Sequence, residues 1–149
     1  MKEKDGAESL LYARELWQLG YSLLQRKNWA KAESVLRECL PILQKQKPDA
    51  LTTFNTQSLI GAALLGQKKY ADAEPLLKQG YTGMKEREAK MPKDSLVLLI
   101  QAVERLVQLY DAWANPIRQR SGARSWKPNA ENTRKEAAQT TFRQAVYSA

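Results

Sequence analysis

The sequence predicts an all-α fold of antiparallel helical hairpins stacked one on the next, and three observations carry that prediction. Apolar residues recur at helical spacing, as at Leu16, Leu19 and Leu23 and again at Leu59, Leu64 and Leu65. A block of residues recurs without a gap 41 positions further on, with Gly20 answered by Gly61, Trp29 by Tyr70, Ala32 by Ala73 and Leu36 by Leu77. The glycines fall inside helical stretches, where each costs about 1 kcal/mol relative to alanine, so close packing against a second helix must compensate.

The elements follow in order. A first helix runs through Gly20 to a polar turn at Lys27-Asn28, and Trp29 then plugs the closed end of the hairpin. The second helix spans about Ala30–Gln46, with Ala32 where it crosses the first; Pro41 is expected to bend or end it. The next hairpin repeats this plan: a helix through Gly61, a turn at Lys68-Lys69, Tyr70, and a helix over about Ala71–Lys90 in which Pro75 lies near enough to the start to be tolerated. Cys39 aligns with Gly80, which marks it as a small packing residue. A third first-type helix is predicted over Ser95–Trp113, capped by Asp94, with an apolar face of Leu96, Leu99, Val103, Leu106, Val107 and Tyr110. Its partner helix then fails. Asn115-Pro116 interrupts, and Gln119 or Arg120 stands where a small crossing residue belongs. The apolar stripe is therefore expected to be partly exposed and to favour self-association.

This divides the chain into a repeat domain, residues 1–114, with units at about 7–46, 51–90 and an incomplete 94–114, and a divergent basic tail, residues 115–149, read as partly disordered with a weak helix near Asn129–Tyr147. The net charge is +8, and the tail alone holds seven basic residues against Glu131 and Glu136. Arginines near Trp126 supply charge with stacking, so nucleic-acid binding through the tail is the alternative reading of function. The repeat body is close to balanced.

Composition limits the chemistry. The chain has no histidine and a single cysteine, which removes most triad, general-base and zinc arrangements. Gly61 through Lys68 approaches a phosphate-binding loop, but Gln67 separates glycine from lysine and Lys69 stands where a magnesium-binding hydroxyl is needed. No catalytic residue, cofactor or metal is expected. The first six residues lack the apolar core of a secretory signal. The best apolar run, Leu96 to Val103, stops at Glu104, short of the roughly 18 residues a membrane span needs. A cytoplasmic protein is the default expectation.

The small–aromatic–alanine order of Gly20, Trp29, Ala32 and Gly61, Tyr70, Ala73 resembles the tetratricopeptide repeat, over roughly residues 7–114. The long repeat resembles the kinesin-light-chain-like subclass. The stretches Thr53 through Tyr81 and Glu104 through Trp113 are similar to the C-terminal repeats of planctomycete-type bacterial proteins in which such arrays often follow a serine/threonine kinase domain. The resemblance implies a right-handed superhelix whose first helices line a concave groove, and a non-catalytic scaffold that binds an extended peptide or a helical partner. It also admits that the chain is a truncated fragment of a larger kinase. Groove positions carried over are Arg14, Trp17, Tyr21, Leu24 and Gln25 in the first unit and Asn55, Ser58, Ala62 and Leu65 in the second. Asn55 resembles the asparagines that hold a peptide backbone in such grooves, and Trp17 with Tyr21 would supply an aromatic anchor.

Overall fold

The computed structural model describes residues 9–120, and of residues 115–120 the backbone only. Among them the chain forms five α-helices: α1 (Leu10–Gln25), α2 (Trp29–Gln46), α3 (Leu51–Gly66), α4 (Tyr70–Glu86) and α5 (Leu96–Arg120). Helices adjacent in sequence pack against each other, α1 on α2, α2 on α3, α3 on α4 and α4 on α5, and α3 also touches α1 and α5. α1, α3 and α5 thus lie side by side, with α2 and α4 behind them.

The 41-residue period in sequence is a period in contacts. A Cβ placed on Gly20 would sit 2.5 Å from the Leu36 side chain, and one on Gly61 would sit 2.6 Å from Leu77. Only a hydrogen in place of a side chain lets each pair of helices cross there. The Cys39 thiol donates to the Ala13 carbonyl at 3.2 Å, and a Cβ on Gly80 would meet the carbonyl of Phe54, 41 positions after Ala13, at 2.8 Å. Cys39 is fully buried, and burial pushes its thiol up to about 11. The alignment of a cysteine with a glycine therefore reflects a shared position: each lies against the backbone of the first helix of its own hairpin.

The turns repeat as well. In the first hairpin the Asn28 amide donates to Leu23 and that of Lys27 to Leu24; in the second, Lys69 donates to Leu64 and Lys68 to Leu65. This is the Schellman closure, which places one residue in the left-handed region. Here that residue is lysine both times, Lys27 with φ 59° and Lys68 with φ 64°.

Several expectations are corrected. The second helices begin at their aromatic residues, one position earlier than predicted, and α4 stops at Glu86, where a 3-10 turn over Glu88–Lys90 takes over. The third first-type helix starts at Leu96 rather than Ser95, because Lys93–Ser95 is itself a 3-10 turn, so Asp94 is not its N-cap. That helix continues past Pro116 to Arg120 instead of ending at Trp113. Pro41 likewise does not end α2; the ring is exposed, and water can satisfy the carbonyl it leaves unbonded. Leu19 points outward, 49% exposed, whereas Ile60, 41 positions later, is completely buried: α3 packs against the unit before it, and no described element covers that side of α1. Trp29 does more than close its own hairpin, since its ring lies against Gly66 of the next unit, and Tyr70 stacks on Trp113 with ring centroids 6.2 Å apart.

Paired polar groups also join the units. Gln67 at the end of α3 donates to Glu33 of α2 at 2.6 Å. Glu74, 41 positions after Glu33, takes a hydrogen bond from Tyr110 of α5; burial, together with that contact, pushes the phenol up to about 12. Leu99, Ala102, Val103, Leu106 and Leu109 of α5 are buried against the array, while Leu96, Val97 and Ile100 are 36%, 49% and 41% exposed. The face expected to stand uncovered is therefore mostly covered, since α4 and α3 bury Leu99, Val103 and Leu106; the exposed apolar residues lie near the start of the helix and share only Leu96 with that face. The tail beyond Arg120, including Trp126 and the segment Asn129–Tyr147, lies outside the described residues.

Candidate functional site

The face carried by α1, α3 and α5 holds two clefts. The first, of about 450 Å³, is lined by Arg14, Trp17 and Gln18 of α1, Thr52 and Asn55 of α3 and Leu98 of α5. The second, of about 520 Å³, is lined by Tyr21 and Gln25 of α1, Ala62 and Leu65 of α3, and Gln101, Glu104, Arg105 and Gln108 of α5, with Lys68 at the turn. Trp17 belongs to one cleft and Tyr21 to the other. Their rings stack nearly parallel, 6° apart in plane and 5.3 Å between centroids, so the pair forms the divide between the clefts.

The residues singled out from sequence therefore separate. Arg14, Trp17 and Asn55 share the first cleft; Tyr21, Gln25, Ala62 and Leu65 share the second. Ser58 lies in neither. It is fully buried, and its hydroxyl accepts a hydrogen bond from Arg105 at 3.0 Å. Leu24, expected to face the groove, is instead buried in the core with Leu36 and Leu59, because it follows Leu23 around the helix toward α2.

Asn55 and Trp17 are unusual in what they lack. Asn55 is 4% exposed, yet among the described residues its carboxamide oxygen has no hydrogen-bond partner, and neither has the buried indole Nε1 of Trp17. A buried polar atom left unpaired costs about 1–3 kcal/mol, and such atoms are few in a native fold. Here an acceptor and a donor in that condition line one cleft. Gln57 Oε1 is also unpaired, but its side chain borders a separate cleft with Phe54, Lys78 and Thr82.

Sequence reasoning missed Arg105, which enters this face from the incomplete third unit. Burial pulls its guanidinium below the usual arginine range, against the opposing influence of Tyr21 and Glu104. A further cleft, of about 630 Å³, lies at the loops between units around Asp49, Arg87 and Met91. Its central charge is already engaged: Arg87 pairs with Asp49 at 2.7 Å, donates to the Gly83 carbonyl and covers the Phe54 ring at 4.3 Å. That is a structural clasp rather than a vacant site.

Among the described residues no cluster of three or more histidine, cysteine or acidic side chains could hold a metal ion. No described helix is long and apolar enough to cross a membrane. A family model described as tetratricopeptide repeat matches residues 12–86, from the first turn of α1 to the end of α4. No curated protein and no solved structure matches the chain.

Proposed function

The chain belongs to the tetratricopeptide repeat family, and from that premise we propose that it is a non-catalytic scaffold that binds an extended peptide along α1, α3 and α5. The family's repeats generally mediate contacts between proteins. The observation that carries the reading is the unpartnered carboxamide oxygen of Asn55 beside the unpartnered indole nitrogen of Trp17. An extended backbone offers an N–H to the first and a C=O to the second. Arg14 and the exposed edges of Tyr21 and Gln25 then act as neighbouring contacts, with the Trp17–Tyr21 stack as a rigid apolar anchor. The 41-residue spacing supports placing these repeats in the longer, kinesin-light-chain-like subclass. The uncovered stripe of Leu96, Val97 and Ile100 supports self-association through the incomplete third unit as a second, weaker contact.

The test is to pan the full chain against a random nine-residue peptide library displayed on phage and to repeat the measurement with Asn55→Leu. The leucine is of similar size and removes the unpaired acceptor. Selected peptides should bind the variant at least tenfold more weakly, while the variant itself melts at a higher temperature. Peptides that bind Asn55→Leu as well as the parent chain would refute the reading.

A further inference from the structure

Arg105 reaches from α5 across to α3, where Nη1 donates to Ser58 Oγ at 3.0 Å. A guanidinium has five N–H donors. Among the described residues this one makes that single side-chain hydrogen bond and forms no ion pair with a carboxylate. Glu104 lines the same cleft and acts on the guanidinium through its charge, but it is exposed and forms no ion pair with Arg105. Other sequestered charges in the fold are matched: Glu33 with Arg37 at 2.9 Å and Lys85 with Glu88 at 2.5 Å. Desolvating a cation without an anion is unfavourable, as the depressed pKa of Arg105 reflects. Gln25, Gln101 and Gln108 bring amides to the same cleft, and its charged lining is Arg105 and Lys68 against the one carboxylate of Glu104, so the cleft keeps a positive excess.

We propose that Arg105 is the receiving group for an acidic side chain, aspartate or glutamate, of the peptide that lies along α1, α3 and α5. This rests on the groove reading above and adds to it the chemistry of the ligand. A carboxylate can take two parallel N–H donors from one guanidinium, a geometry that lysine cannot supply. The spacing sets a register. Ser58, which Arg105 touches, is one helical turn from Asn55, about 4.5 Å along the axis, and Ala62 in the same cleft is about 10 Å away. An extended chain advances about 3.3 Å per residue. The acid therefore falls about one to three residues from the residue held at Asn55.

The probes are the nine-residue peptides selected by the full chain, each resynthesised with blocked ends and with every Asp or Glu changed singly to Asn or Gln. One acidic position should be shared among the selected peptides, and its amide replacement should weaken binding at least tenfold. Arg105→Gln should weaken the acidic peptide by a similar factor and leave the amide peptide unchanged. Arg105→Lys should recover only part of the loss. If Arg105→Gln does not fold, the acid-to-amide comparison on the parent chain decides alone. Selected peptides that bind with no acidic preference, or that lose equally with acid and amide on Arg105→Gln, overturn this site and leave the groove standing. A chain that selects no peptide at all overturns both.

Discussion

Replacing Lys27 by glycine should make the protein more stable, although it removes a lysine from the surface and adds the most flexible residue. Lys27 closes α1 with φ 59° and Lys68 closes α3 with φ 64°. For an L-residue with a Cβ the left-handed region costs about 1–2 kcal/mol, a cost glycine escapes. Glycine gives back about 0.4–1 kcal/mol through its freer unfolded chain. The net gain is about 0.5–1 kcal/mol per turn. The two closures share no hydrogen bond, so Lys27→Gly with Lys68→Gly should gain about 1–2 kcal/mol. For a folded unit of about 100 residues that corresponds to roughly 5–10 °C in Tm. Urea unfolding followed by far-UV circular dichroism gives the answer, with the midpoint rising at unchanged slope. Lys27→Ala is the decisive control, because alanine retains the left-handed cost and removes the same charge. Equal gains from alanine and glycine would show that charge, not backbone conformation, is responsible. A lower midpoint for glycine would mean that contacts of the lysine stem outweigh the strain.

Gly61→Ala should destabilise by about 1 kcal/mol even though alanine is the better helix former, since overpacking of about 1–3 kcal/mol outweighs the propensity gain; thermal melts read the sign. Leu36→Ala and Leu77→Ala should each cost about 2–5 kcal/mol, in similar measure, because both side chains are fully buried against a glycine of the facing helix. The Cys39 thiol, buried and pushed up to about 11, should react with a thiol reagent at neutral pH only as fast as the protein opens, so labelling should track the urea curve. Burial pushes the Glu33 carboxyl up, but hydrogen bonds from Gln67 and Arg37, with the charges of Arg37 and Lys69, prevail and hold it below the ordinary glutamate range. A depressed carboxylate contributes stability above its unfolded pKa and loses it as pH falls through the folded one. Glu33→Gln should therefore be less stable at neutral pH and show a shallower loss below about pH 4.5 in acid titrations of the midpoint.

The architecture was legible because its constraints are steric and repeat. Gly20, Gly61, Cys39 and Gly80 are small for reasons visible twice in the sequence, and a coincidence in two copies is a strong signal. What escaped depends on neighbours that a sequence does not display. Leu19 and Ile60 occupy equivalent positions with the same apolar character, yet one faces water because no described element packs over it. Asn55 and Ser58 were placed on the groove and are buried, as are Thr53 and Thr56: α3 is covered on several sides, and the two threonines satisfy themselves on the carbonyls of Lys47 and Thr52. The left-handed lysines were hidden because glycine normally marks that place. Of the proposed binding face, the contributions of α1 and α3 could be carried over by position, whereas Arg105 could not, since the third unit does not keep the 41-residue register.

Because equivalent contacts return at a fixed interval, the chain carries its own rule for growing. The block from Leu51 to Met91 is one full period, and it contains both surfaces by which a unit meets its neighbours. A duplicate of it inserted at the loop between α2 and α3 would offer its Ile60 to the helix before it and its Gly66 to the aromatic of the preceding turn. The lengthened protein would acquire another floor without any new interface having to be invented, and the proposed peptide track would extend by one station.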